Sequence, residues 1–84
     1  MTHYITLELA KALKDAHLQA IDRAKRYRAP MRVWFAFSTN GWGTRRAIVY
    51  VRSIEEGAPD GYGLEDVTMH EEILPDKDYG TIFG

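Results

Sequence analysis

Apolar residues return at spacings of three and four along the first third of the chain. Leu9, Ala10, Leu13, Ala16, His17, Ala20, Ile21, Ala24 and Tyr27 fall on one stripe. Glu8, Lys11, Lys14, Asp15, Gln19, Asp22, Lys25 and Arg26 fill the opposite face. This period predicts an amphipathic helix over about 6–29. Thr6 suits its N-cap, and Arg26 and Arg28 suit the negative end of its dipole. Pro30 stops it and pushes Ala29 toward an extended conformation. The alanines of the stripe would let the helix sit close on a sheet. His17 within the stripe is expected to be a hydrogen-bonded boundary residue. Leu7 and Leu18 point away from the stripe, where a partner or second copy would meet them. Single exposed leucines are also ordinary.

At Met31 the period changes to two. Met31, Val33, Phe35 and Phe37 alternate with Arg32, Trp34, Ala36 and Ser38; Ala47, Val49 and Val51 alternate with Arg46, Ile48, Tyr50 and Arg52. Two strands joined through Asn40-Gly41 give a hairpin over 31–52, with Gly43 marking a bulge or a second turn. Gly57, Pro59, Gly61 and Gly63 punctuate a loop over 53–63. Val67, Met69, Glu71 and Ile73 then alternate in a third strand over about 64–74, expected antiparallel to the second and apolar on one face for most of its length. Pro75 ends it. The tail, 75–84, keeps Tyr79, Ile82 and Phe83, which either pack on the sheet or dock on a partner.

The predicted fold is α+β: one N-terminal amphipathic helix packed on a three-stranded antiparallel β-meander (αβββ), as a single domain over 1–84. The stripe would cover Met31, Val33, Phe35 and Phe37. Trp34, Ile48 and Tyr50, with Arg32, Arg46 and Arg52, would then form a less protected face suited to binding.

Composition narrows this little. A content of 45% hydrophobic and 27% charged residues is that of a globular chain rather than a disordered one. No cysteine is present, so neither a disulfide nor a thiolate metal site supports the small core. No apolar run approaches the roughly 20 residues that span a bilayer, and the N-terminus lacks the pattern of a signal peptide. The expectation is a soluble, cytoplasmic protein without membrane contact.

Charge changes the picture more. Residues 1–54 carry ten basic residues against three acids, a net +7, whereas 55–84 carry nine acids against Lys77, a net −8. The two halves either neutralise each other within the fold or mark a charged partner. The acidic candidates for partner binding are Glu55, Glu56, Asp60, Glu65, Asp66, Glu71, Glu72, Asp76 and Asp78. The hairpin candidates are Trp42, Arg45 and Arg46, because Trp and Arg dominate interface hot spots; the alternative for Trp42 is that it folds back over the hairpin or the helix end and completes the core.

Catalytic chemistry finds little material. His3, His17 and His70 show no metal-ligand spacing, and His70, Glu71 and Glu72 are the only local cluster. Ser38 and Ser53 have no patterned histidine partner, and no phosphate-binding glycine loop is present. Neither enzyme activity, nor a metal, nor a cofactor is expected. The leading reading is a protein-binding module that occludes a partner's surface. One version is a small phage or mobile-element inhibitor of a host nucleic-acid-handling complex, the class that anti-CRISPR proteins exemplify. The alternatives are a nucleic-acid-binding domain using Trp42, Arg45, Arg46 and the helix-end arginines, and a homodimerisation module.

Overall fold

The helix comes first and runs longer than its stripe. In a computed structural model, which describes residues 2–39 and 43–79, α1 spans Thr2–Tyr27. It starts before Thr6, which therefore lies inside the helix and not at its cap. Once a helix is nucleated, each added residue gains a hydrogen bond, and no breaker precedes Thr6 to stop it. At the other end the helix stops before Arg28, whose φ of 54° is left-handed. The Ala29 amide donates to the Ala24 carbonyl at 3.2 Å, the six-to-one bond of a Schellman cap. Pro30 then prevents any resumption. No helix of the described residues is long and apolar enough to cross a membrane.

Three strands follow: β1 (Met31–Thr39), β2 (Arg45–Ser53) and β3 (Leu64–Ile73). They form one antiparallel sheet on which α1 packs, so the fold class is α+β as the periodicities predict. The strand order is β2-β1-β3. The third strand pairs with the first, so the expected meander, with β3 beside β2, is corrected. The apolar content of the strands explains the order. β1 offers Met31, Val33, Trp34, Phe35, Ala36 and Phe37 with one internal charge, whereas β2 and β3 carry charges at their ends or throughout. The most apolar strand takes the centre, where both edges are paired.

α1 lies on the face of Met31, Val33, Val49, Val51 and Ile73. Ala16, Ala20 and Ala24, four residues apart, form its contact ridge, and Ala20, Ala24, Val33 and Ile73 are fully buried. The small ridge brings the helix backbone close to the sheet, as the alanine stripe predicts. Two stripe members depart from it: Ala10 and Tyr27 are exposed. Phe35 and Phe37 are half-buried, covered less completely than Met31 and Val33. The Arg45 guanidinium lies 4.1 Å from the Phe37 ring centroid.

The β1–β2 register is regular from Met31↔Ser53 to Thr39↔Arg45. The β1–β3 register shifts twice, between Val33 and Trp34 and between Phe35 and Phe37. These bulges correct the expected single apolar face of β3. Met69 pairs with Trp34 and Ile73 with Met31, so the two lie on opposite faces. Val67 and Met69 are exposed, and Asp66 takes a left-handed φ of 52° at the second bulge. On the face turned from the helix Met69 is exposed. Ala36 is fully buried there, while Trp34, Ile48 and Tyr50 are half-buried.

Candidate functional site

The charged halves meet within the domain. Arg45 reaches across Phe37 to the carboxylates of Asp66 and, at 4.0 Å, Glu65. Arg32 Nε lies 3.4 Å from Glu72 on the adjacent strand. His17 Nδ1 is 2.7 Å from Glu71 Oε2, and its ring meets Tyr79 edge-on at 5.8 Å. His17 is thus the hydrogen-bonded boundary residue that its place in the stripe predicts, tying α1 to β3 and to the start of the tail. Tyr79 packs on the core, and its hydroxyl accepts the Leu74 amide at 3.1 Å.

Glu56 forms the fifth of these engaged acids. The Ser53 amide donates to Glu56 Oε1 at 2.8 Å, and the Glu56 amide donates to Ser53 Oγ at 3.2 Å. This reciprocal pair is the Ser-x-x-Glu capping box, here closing a turn at the end of β2. The Ser53 amide bond, aided by the Ser53 hydroxyl, Arg52 and Arg23, holds the Glu56 carboxyl below its ordinary 4.5. The motif stands in the sequence at the start of a segment whose glycines and proline read only as loop.

The nine acidic candidates therefore do not form one outward pole. Glu56, Glu65, Asp66, Glu71 and Glu72 contact residues of their own chain. Glu55 and Asp60 are exposed, and Asp76 is exposed beside Lys25 and Arg28 at the end of α1. Asp78 is exposed as well and also takes part in an interaction. Of the hairpin candidates, Arg46 is exposed on β2 and Arg45 is turned onto Phe37. Trp42 lies outside the described residues, as do Asn40-Gly41 and the tail beyond Tyr79.

A different site emerges where the strand order leaves β2 at an edge. Its nine residues contain no bulge, glycine or proline. Edge residues of an antiparallel pair turn their amide and carbonyl alternately toward the partner and away from it. Two contacts fix which way. Arg23 Nη1 donates to the Val51 carbonyl at 3.4 Å, and the Ser53 amide donates to Glu56. Both use odd-numbered residues on the outer side, so Ile48 and Tyr50 bond to β1 while Ala47 and Val49 turn outward. Among the described residues no strand pairs with this edge. Beside it runs an open groove of about 470 Å³ between α1 and β2, floored by Ala12, Ala16 and Val49 and bordered by Asp15, Gln19 and Arg23. The alanines that seat the helix closely also leave this groove unfilled.

No family model, curated protein or solved structure matches the chain. The site accordingly rests on its own geometry. A regular strand edge beside a helix is the arrangement in which an extended segment can add to a sheet, with backbone hydrogen bonds for affinity and a groove for alternate side chains. By contrast, β3 is twice bulged and kinked at Asp66, features that protect an edge from pairing.

Proposed function

We propose that the protein is a non-enzymatic protein-binding module that occupies a partner's surface through the outer edge of β2. The single observation that carries this reading is the unbulged edge at Ala47 and Val49 opening onto the groove under α1. The engagement of Arg45 by Glu65 and Asp66 supports a protein partner over nucleic acid, because it draws one of the hairpin's arginines away from phosphate contacts. A nucleic-acid-handling complex, inhibited by a small phage or mobile-element protein, is the partner class suggested by the charge division of the sequence. Exposed Glu55 and Asp60 are the groups that would face a basic surface on it.

The test compares the full chain with its Ala47→Pro variant as bait in the native host. Proline at this position removes an outward amide and leaves the β1 ladder intact. A partner bound by the natural chain and lost by the variant, with circular dichroism unchanged, is the expected result. A partner held equally well by both contradicts the reading.

A further inference from the structure

We infer that the segment added to β2 is an extended peptide alternating acidic and apolar side chains. The inference deepens the reading of the β2 edge and rests on it. A strand paired through the outward groups of Ala47 and Val49, short of the Val51 carbonyl that Arg23 occupies, presents its side chains alternately to the two faces of the sheet. On the helix side their neighbours are Ala47, Val49 and Val51 and the alanine floor of the groove, a small apolar channel. Asp15 on the groove wall disfavours a carboxylate there. On the other side the neighbours are Arg46 and Arg52, flanking Ile48 and Tyr50. Arg52 stands over the Tyr50 ring at 5.5 Å, and Arg46 is exposed. Carboxylates at the matching positions form cross-strand pairs of opposite charge, while lysines there would be repelled.

Charge also argues against a second copy as the occupant. β2 holds no carboxylate, so β2 of another molecule offers Arg46 and Arg52 no opposite charge: antiparallel pairing centred on Val49 sets Arg46 against Arg52, and pairing centred on Ile48 sets Arg46 against Tyr50. Pairing with β3 of a second copy meets two bulges, and the carboxylates of that strand are already engaged by Arg45, Arg32 and His17. An acidic-apolar segment of a different protein meets neither obstacle.

The experiment titrates the full chain with two acetylated seven-residue peptides, one alternating glutamate and valine and one alternating lysine and valine, following amide chemical shifts. The glutamate peptide is expected to bind at least tenfold more tightly, with the largest shifts at Ala47 and Val49. Ala47→Pro should abolish binding, and an Arg46→Glu, Arg52→Glu double variant should reverse the preference. Equal binding of the two peptides, or a preference unmoved by the double variant, overturns the inference. If the partner captured from the host is nevertheless lost by Ala47→Pro, the binding edge stands and only its assigned chemistry fails. A concentration-dependent doubling of mass by light scattering, abolished by Ala47→Pro, would make a second copy the occupant and also overturn the inference.

Discussion

Ala47 and Ile48 are neighbours on β2 whose amides point in opposite directions, and proline substitution separates them. The Ile48 amide faces β1 opposite Ala36, a residue with 0% exposure. Ile48→Pro removes that ladder bond, drives the proline ring toward the central strand and leaves the Ala36 carbonyl without its donor. Proline at a residue whose amide bonds the neighbouring strand breaks the ladder there, and a buried unpaired carbonyl alone costs about 1–3 kcal/mol. Ala47→Pro removes an amide that faces outward. It loses no ladder bond, and its fixed φ reduces the freedom of the unfolded chain. Its expected cost lies within about 1 kcal/mol. For a chain of this length total stability is about 4–13 kcal/mol, so the difference is measurable by urea unfolding followed by circular dichroism. In thermal unfolding Ile48→Pro should lower Tm by clearly more than Ala47→Pro, whose fall stays below about 8 °C. If Ala47→Pro proves the more damaging of the two, the outward groups belong to the even-numbered residues and the proposed edge is misassigned.

Three further outcomes follow from local geometry. Arg28 holds a left-handed φ that only glycine adopts without cost, so Arg28→Gly should stabilise the protein by about 1 kcal/mol, read as a rise in Tm. A fall instead would show that the Arg28 side chain contributes more than its backbone strain removes. Trp34 buries its indole N–H without a hydrogen-bond partner among the described residues. Trp34→Phe removes that unpaired donor and should change stability by no more than about 1 kcal/mol, whereas Trp34→Ala should cost about 3 kcal/mol; equal losses in urea unfolding would count against this. Glu56 has a folded pKa below the 4.5 of its unfolded state, so its ionised form stabilises the native turn. That contribution is present above about pH 4.5 and is lost as pH falls through the lowered folded value. The stability difference between the natural chain and Glu56→Gln should therefore be present at neutral pH and vanish in acid, once pH lies below the lowered folded value. A difference independent of pH would contradict the assignment.

The elements themselves are legible because each has its own period. Spacings of three and four around Ala16, Ala20 and Ala24 predict the helix and its contact ridge, and alternation from Met31 and from Ala47 predicts the two hairpin strands within one or two residues. Period carries no information about which strands become neighbours. The expected meander placed β2 in the centre, so the edge that now defines the site was hidden as an interior strand. The signal that identifies the central strand is composition, since β1 carries a single charge while arginines occupy both ends of β2. The bulges of β3 escaped for a related reason. An extra residue reverses the alternation without altering the letters, so Met69 and Ile73 read as one face and lie on two. The charge division was plain in the sequence, but opposite charges far apart in the chain do not reveal that Arg45 meets Glu65 and Asp66 across Phe37.

Hydrogen exchange at single amides of β2 tests the binding edge most directly. In the free protein Ile48 and Tyr50, bonded to β1, should exchange slowly, and Ala47 and Val49 should exchange fast. On addition of the partner, Ala47 and Val49 should become protected while Ile48 and Tyr50 change little. Protection of Ala47 and Val49 already in the free protein, or their continued fast exchange in the complex, would contradict the proposal that β2 binds by adding a strand.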